Sequence, residues 1–284
     1  MKLSVMAYSF ARALGTGEMT LPQVLEYIAS LAVPAVELMD VHVAAAGEQQ
    51  TLAALERLGL TVSCYDLVST DLVQTTPNEQ GAALAQLRRE LDVAERLGAK
   101  TALVVPGRWK TGIERDYARE ALVAGLADLG AYAAARGISL TIEDHSLEAA
   151  TGCTAESLEH LCAAAAPHLY VTFDTGNFVF GDQDPLAAWE RLAPRVRHVH
   201  VKDWEVLTEQ QAAGRAYRRD LAGRAYRGTA LGCGIIPNPA IVDRVARSGY
   251  SDYLSAEYEG EGDPRVAVSD GVRYLRGLLT AAGV

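Results

Sequence analysis

The sequence predicts an α/β fold, a single (β/α)8 or TIM barrel, and three observations support this prediction. Eight strand-like runs alternate with segments of helical period along the whole chain. The length of 284 residues suits one barrel of this kind. No glycine-rich phosphate turn, of the G-x-x-x-x-G-K-[ST] or G-x-G-x-x-G type, follows any strand. This absence disfavours the rival architecture, a doubly wound open sheet that binds nucleotides.

Most of the predicted strands are short, rich in β-branched residues and followed by polar or charged side chains. They cover residues 3–10, 35–38, 61–67, 101–107, 139–145, 170–177, 196–203 and 253–260. Apolar stripes of helical period cross residues 84–97, 122–129 and 158–161. Gly98 and Gly137 are expected to end the first two of these helices, and Thr154 is expected to cap the third.

One connection breaks this alternation. A long loop insertion at about 204–236 follows the seventh strand, whereas the chain as a whole (1–284) is predicted to be one barrel domain. The insertion contains the repeat Gly214-Arg-Ala-Tyr-Arg218 and Gly223-Arg-Ala-Tyr-Arg227, and its arginines are Arg215, Arg218, Arg219, Arg224 and Arg227. Because strand ends form the functional face of a barrel, the insertion is expected to be an active-site lid, a solvated helical segment, or a contact to a partner subunit or a second copy of the chain. The sequence does not separate these alternatives.

Charge and composition exclude several classes of partner. The chain has 26 lysines and arginines against 36 aspartates and glutamates, and the net charge of −10 repels nucleic acids and anionic membranes. No apolar run approaches the roughly 18 residues that a membrane span needs. The N-terminal MKLSVMAYSF lacks a signal-peptide core. We therefore expect a cytoplasmic protein with a small-molecule substrate and reduced cysteines.

Acidic residues and a histidine stand at the C-terminal ends of four consecutive predicted strands, the fifth to the eighth. They are Glu143, Asp174, His200 and Glu257. Because strand ends meet at one rim of a barrel, the four side chains are expected to face a common centre. Such a mixed set of ligands suits Mn²⁺, our first expectation, as well as Co²⁺, Mg²⁺ or Zn²⁺, and the cation offsets the repulsion among the carboxylates. His198 shares the strand face of His200 and is expected to lie deeper.

Four longer strings surround these residues. They are Thr141-Ile-Glu-Asp-His145, Val171-Thr-Phe-Asp-Thr-Gly-Asn177, His198-Val-His-Val-Lys-Asp203 and Ser255-Ala-Glu-Tyr-Glu-Gly260. Over essentially the whole chain, the sequence resembles the sugar phosphate isomerase/epimerase family, part of the xylose-isomerase-like barrel superfamily. That superfamily includes ketose 3-epimerases, hydroxypyruvate isomerases and inosose dehydratases. The resemblance implies the same four metal ligands as the strand ends do.

Two positions depart from the pattern of ketose 3-epimerases. Those enzymes commonly have a histidine three residues after the metal-binding aspartate, where this chain has Asn177. They also place a substrate-binding arginine six residues after the histidine ligand, where this chain has Val206. A ketose 3-epimerase activity is therefore disfavoured.

The predicted chemistry is proton transfer next to a carbonyl group, through an ene-diolate whose charge the metal stabilises. The resemblance implies that Glu143 and Glu257 act both as metal ligands and as acid/base groups. The first hypothesis is a metal-dependent isomerase or epimerase of a sugar or polyol. The alternative is a lyase on the same site, either a dehydratase resembling inosose dehydratase or an enzyme that cleaves 3-keto-glycosides.

Other residues near the strand ends are expected to complete the site. His145 is a candidate catalytic proton shuttle or supporting hydrogen-bond partner. Asn177, Lys202 and Trp109 are expected to bind substrate, through a hydroxyl group, an oxyanion and a sugar ring respectively. Glu37 is a weaker candidate. An abasic-site endonuclease shares this barrel but needs more histidines at strand ends, and a binding protein without turnover is the remaining alternative.

Overall fold

Eight parallel strands close into a barrel in the computed structural model, which describes residues 1–107, 110, 112–144, 154–213 and 217–284. The barrel strands are β1 (Lys2–Met6), β2 (Ala35–Met39), β3 (Thr61–Leu67), β4 (Thr101–Val104), β5 (Ser139–Glu143), β6 (Leu169–Asp174), β7 (Val196–Val201) and β11 (Tyr253–Ala256). Between β7 and β11, the strands β8 (Trp204–Leu207), β9 (Arg218–Arg219) and β10 (Ala225–Gly228) form a separate sheet. Barrel neighbours follow chain order, and β11 pairs with both β7 and β1. The predicted (β/α)8 barrel is confirmed.

Helices alternate with the barrel strands and bury their apolar faces. They are α1 (Ala11–Thr16), α2 (Leu21–Ser30), α3 (Asp40–Ala46), α4 (Glu48–Leu58), α5 (Pro77–Arg96), α6 (Arg115–Ala134), α7 (Ala155–Ala164), α8 (Pro185–Leu192), α9 (Glu209–Ala212), α10 (Asn238–Arg247) and α11 (Pro264–Ala281). In α6 the predicted stripe of Leu122, Leu126 and Leu129 is buried. Among the described residues, no helix combines the length and the apolar character that crossing a bilayer requires.

Capping residues set the helix ends that the sequence predicts. At the start of α5, the side chains of Thr76 and Glu79 form a capping box. That helix stops just before Gly98, whose φ of 81° is a left-handed conformation that glycine adopts without strain. At the start of α7, the hydroxyl of Thr154 accepts a 3.1 Å hydrogen bond from the Ser157 N–H. Local polar contacts, readable from sequence, thus define these elements.

Several strands end earlier than the sequence pattern predicts. The strand pattern extends to Asn177, for example, but β6 ends at Asp174. The Oδ1 atom of Asp174 accepts hydrogen bonds from the N–H groups of Gly176 and Asn177, at 2.6 and 3.0 Å. Because a side chain takes these backbone donors, they are lost to the strand ladder. The strand therefore stops where its functional side chain begins to organise the loop.

The insertion after β7 forms a three-stranded antiparallel sheet with strand order β8-β10-β9. One expectation, a helical insertion, is wrong for the described part of 204–236, in which only the four-residue α9 is α-helical. The carboxylate of Asp203 ties both ends of the segment to the barrel by accepting backbone hydrogen bonds. The donors are the N–H groups of Trp204, Gly232, Gly234 and Ile236, at 3.0 to 3.1 Å.

Candidate metal centre and active site

The four predicted metal ligands come together at the C-terminal rim of the barrel. Glu143, Asp174, His200 and Glu257 each offer a donor atom, and these atoms lie within 4.8 Å of one another. His200 Nδ1 lies 2.6 Å from Glu143 Oε1, 3.5 Å from Glu257 Oε2 and 3.8 Å from Asp174 Oδ2. The strands β5, β6, β7 and β11 are successive neighbours, so their ends bring these side chains to one point.

The donor set fits a divalent cation. Within the described residues, neither Asp174 Oδ2 nor Glu257 Oε2 accepts a hydrogen bond, although both atoms are buried. Burial raises the pKa of Glu257 well above its ordinary value, and the nearby Asp174 carboxylate adds to the effect. Burial likewise raises the pKa of Asp174, with a further contribution from Glu143. A bound cation reverses these penalties, because it gives buried carboxylate oxygens a positive partner.

Asp174 is held so that only one of its oxygens remains for a ligand. Its Oδ1 atom accepts the two backbone hydrogen bonds described above, which leaves Oδ2 directed at the cluster. The turn requires a glycine at position 176, because a Cβ atom there would lie 2.6 Å from Trp204 Nε1. The backbone N–H of Asn177 donates one of the hydrogen bonds of this turn, while the Asn177 side chain lines the adjoining cavity.

The second ring nitrogen of His200 is fixed by a buried carboxylate. His200 Nε2 lies 2.8 Å from Glu37 Oε1, and His198 Nε2 lies 3.0 Å from Glu37 Oε2. This hydrogen bond orients the His200 ring and leaves Nδ1 for a metal, an arrangement common among metal-binding histidines. His198 lies close to Glu37 rather than to the acidic cluster, in agreement with its predicted deeper position.

Glu37, His198 and His200 form a buried triad, and electrostatic interactions among them shift the pKa values of Glu37 and His200. Burial alone would raise the pKa of Glu37, but His198 and His200 lower it well below its ordinary value. Burial alone would lower the pKa of His200, but Glu37 and Glu143 raise it well above its ordinary value. Glu37 is thus ionised and holds both imidazole rings, a role that the sequence pattern did not identify. Its position near the end of β2, following buried Ala35 and Val36, is the same signal that marked the four ligands.

A cavity opens directly above the four ligands. The predicted substrate-binding residues Asn177 and Lys202 both line it. The other lining residues are Met6, Tyr8, Met39, Asp66, Val68, Leu103, Val105, Glu143, Arg218, Glu257 and Glu259. The ammonium group of Lys202 is buried and lies 3.1 Å from Asp174 Oδ2, 2.9 Å from Glu257 Oε1 and 2.7 Å from Glu259 Oε1.

Sequence reasoning missed Tyr8, Asp66 and Glu259, which also follow or end barrel strands. The Glu259 carboxylate, followed by burial, raises the pKa of Tyr8. Burial and the Glu37 carboxylate raise the pKa of Asp66 well above its ordinary value. Both shifts favour the protonated forms, in which Tyr8 and Asp66 can donate hydrogen bonds into the cavity. The predicted residues Trp109 and His145 lie outside the described part of the chain, and their roles stay predictions.

Comparison with known proteins identifies the family. Residues 25–278 match the family model of the xylose isomerase-like TIM barrel. This chain belongs to that family. Its sequence is similar to the inosose dehydratase of Bacillus velezensis, with 27% identity over 197 residues that make up 64% of each chain. The chain thus matches less than two thirds of the length of this relative.

Two solved structures share the fold at low sequence identity. The 3-keto-D-glucoside 4-epimerase YcjR of E. coli aligns with a TM-score of 0.70 and 16% identity, over 90% of this chain and 94% of that one. A xylose isomerase-like TIM barrel protein of Mycobacterium smegmatis, in complex with magnesium, aligns with a TM-score of 0.69 and 17% identity, over 92% and 88% of the two chains. The relatives of known activity are enzymes, and they include both a dehydratase and an epimerase.

Proposed function

We propose that this protein is a divalent-metal-dependent enzyme that transfers a proton next to the carbonyl group of a sugar or polyol. The observation that carries the proposal is the convergence of Glu143, Asp174, His200 and Glu257 beside a cavity that Tyr8 and Asp66 also line. A cation on these ligands would stabilise negative charge that develops on the substrate's carbonyl and neighbouring oxygens. Mn²⁺ is the metal we expect, with Mg²⁺, Co²⁺ and Zn²⁺ as alternatives for this mixed oxygen and nitrogen set.

Within this class, we favour a dehydratase. Glu143 lines the cavity and would accept the proton from the carbon next to the carbonyl. The electron pair of that C–H bond forms a C=C bond, and the C–O bond at the next carbon breaks. Tyr8 follows β1 and Asp66 lies on β3, across the barrel from the strands of Glu143 and His200, and their raised pKa values favour the protonated forms, so either could protonate the departing hydroxyl to release water. The name of the Bacillus velezensis relative agrees with this reaction.

An isomerase or epimerase is the second candidate. Glu143 and Glu257 both line the cavity, from β5 and from the residue after β11, so that one can remove a proton and the other return it. This arrangement supports a rearranged sugar as the product, without loss of water. The E. coli protein of similar fold is named as a 3-keto-D-glucoside 4-epimerase, which belongs to this reaction class.

Proton NMR in D₂O distinguishes the candidates. The Mg²⁺-loaded enzyme would be mixed with inososes, 3-keto-glycosides, ketoses and hydroxypyruvate, with a chelated sample as the control. Dehydration predicts deuterium exchange beside the carbonyl followed by a vinylic signal, and epimerisation predicts exchange with an inverted or moved carbinol proton. Absence of metal-dependent exchange with every compound would contradict the proposed function.

A further inference from the structure

The arginines of the insertion are engaged with carboxylates of the protein itself. The described pairs are Arg218 with Glu259 at 3.1 Å, Arg219 with Glu209 at 3.0 Å, Arg224 with Asp182 at 2.9 Å and with Asp220, and Arg227 with Glu205 at 2.6 Å and with Glu261 at 3.2 Å. Arg215 lies outside the described residues. A substrate phosphate or carboxylate would therefore have to compete with an existing carboxylate partner for the charge of any of these four guanidinium groups.

Arg218 is the arginine that the insertion brings to the cavity. It lies on β9, where it pairs with Tyr226 of β10. Its guanidinium group lies over the rings of Trp204 and Phe180, with distances of 5.4 and 5.7 Å to the ring centres. The aromatic rings and Glu259 together hold this side chain at the cavity wall. The insertion thus contributes directly to the site.

Glu259 forms an ion pair with each of the two cationic side chains of the cavity, Lys202 and Arg218. Its Oε1 atom accepts a 2.7 Å hydrogen bond from Lys202 Nζ, and its Oε2 atom accepts a 3.1 Å hydrogen bond from Arg218 Nη2. Glu259 is almost fully enclosed, with 12% of its side chain exposed, so losing these partners would leave a carboxylate with little water to replace them. The two cations are therefore poorly available to an incoming anion.

Acidic side chains outnumber cationic ones around the cavity. Asp66, Glu143, Glu257 and Glu259 line it and Asp174 adjoins it, whereas its cationic side chains are Lys202 and Arg218. A divalent cation on the proposed ligands would supply two further positive charges. An anionic substrate would add negative charge to a site that is already rich in carboxyl groups, which is unfavourable in a medium of low dielectric constant.

We infer that the cavity selects an uncharged polyhydroxylated ketone, and that Glu259 is the specificity-determining residue that excludes substrates bearing a carboxylate or phosphate. The inference rests on the proposed function, because it concerns the same cavity and its metal. Exclusion has two sources: Glu259 repels the anion, and it withholds Lys202 and Arg218 from it.

Two six-membered ring ketones test this inference. 2-Keto-myo-inositol is uncharged, whereas 3-dehydroshikimate carries a carboxylate, and their binding would be measured by titration calorimetry on the metal-free and the Mg²⁺-loaded protein. An open-chain pair, fructose and fructose 6-phosphate, would be measured in parallel. We expect the wild type to bind the uncharged member of a pair at least about tenfold more tightly than the anionic member.

The Glu259→Gln variant should change this preference. It keeps the size of the side chain but frees Lys202 and Arg218 from a negative partner, so the affinity ratio should shift towards the anion by about tenfold or more. Glu261→Gln is the matched control, two residues further along and paired with Arg227 outside the cavity, and its ratio should equal that of the wild type. Thermal unfolding of each variant would verify that it is folded.

Arg218→Met is a second variant, and it should change the affinity ratio in the opposite direction. Removing this cation should make the preference for the uncharged ketone stronger. Equal or tighter binding of the anion by the wild type, an unchanged ratio in folded Glu259→Gln, or binding of no uncharged ketone would each overturn the inference. Deuterium exchange is recorded on the same samples: exchange with an anionic ketone alone overturns this inference and leaves the proposed function standing, whereas no exchange at all contradicts the proposed function.

Discussion

His200 separates two groups of acidic side chains that differ in their partners. On its Nδ1 side lies an outer group of Glu143, Asp174 and Glu257, of which Glu143 and Glu257 line the cavity. On its Nε2 side lies the inner carboxylate of Glu37, which is enclosed within the barrel and has an imidazole nitrogen near each of its oxygens. The inner group thus has a protein partner for each carboxylate oxygen, whereas we propose that the outer group also holds a cation.

This difference in hydrogen-bond partners shows that residue type alone does not identify a candidate metal ligand. Both groups contain carboxylates from strand ends, and both contact the same imidazole ring. The distinction lies in the buried oxygens that accept no hydrogen bond from any described residue, namely those of Asp174 and Glu257 in the outer group. In the proposed site, Glu37, with a partner for each oxygen, would position a ligand, and Asp174 and Glu257, each with one such oxygen, would hold the metal.

Removing a carboxylate of the outer group should have the largest effect. Glu143→Gln and Glu257→Gln each remove a proposed metal ligand and proposed acid/base group, and general acid/base catalysis alone contributes roughly 10²- to 10⁴-fold to a rate. We expect kcat to fall by at least that factor, measured by deuterium exchange at saturating Mg²⁺. Glu261→Gln serves as the control. Retained activity in both variants would rule out the two-carboxylate mechanism.

Altering the inner group should weaken metal binding without abolishing it. Glu37→Gln leaves all four proposed ligands in place but removes the negative partner of His200 Nε2. Loss of such an outer partner typically lowers metal affinity by about 10- to 100-fold. A competition titration against a chelator would measure the change, with Glu26→Gln on the exposed surface of α2 as the control. An affinity equal to that of the wild type would show that the inner group does not support the metal.

The smallest expected effect is a pH dependence of stability in the chelated protein. Glu37 and Glu143 raise the pKa of His200 well above its ordinary value of 6.5, despite the opposing effect of burial. Because the folded state holds the proton more tightly, His200 contributes stability that is complete below pH 6.5 and is lost as the pH rises through the folded-state pKa. Metal binding releases this proton, so the loaded protein should not share this decline.

Urea denaturation from about pH 6 to pH 9, with and without chelator, measures this dependence. The free energy of unfolding of the chelated protein should fall as the pH increases. The buried acids Asp66 and Glu257 have raised pKa values and act in the same direction. The His200→Gln variant should show a smaller slope. A chelated protein whose stability rises over this range would contradict the assigned charge of the buried triad.

Much of the fold and the proposed ligand set could be predicted from the sequence, because both depend on local patterns. Strand and helix periodicity, with end signals such as Gly98 and Thr154, specifies the alternation of elements. A polar residue at the end of a barrel strand must face the rim, so Asp174 and Glu257 were placed near each other without knowledge of any distance.

Contacts made across the barrel or by the insertion could not be predicted in this way. Glu37 and His200 are 163 residues apart, and their hydrogen bond crosses from β2 to β7. Arg218 reaches the cavity only because β9 pairs with β10, and neither strand has a strong periodic signal in its few residues. Such contacts depend on side-chain direction, which a residue pattern alone does not specify.

The anchorage of the insertion at Asp203 has a consequence for how this chain can diverge. The hydrogen bonds that Asp203 accepts from described residues of the segment all come from main-chain groups, so most side chains there take no part in them, although a Cβ atom at Gly234 would lie 2.2 Å from Asp203 Oδ1. We therefore expect that much of the stretch between Trp204 and Gly232 can vary in sequence while it stays attached to the barrel that carries the proposed metal ligands. Under the proposed function, the barrel would supply the reaction chemistry, and the insertion would contribute to the substrate preference through Arg218.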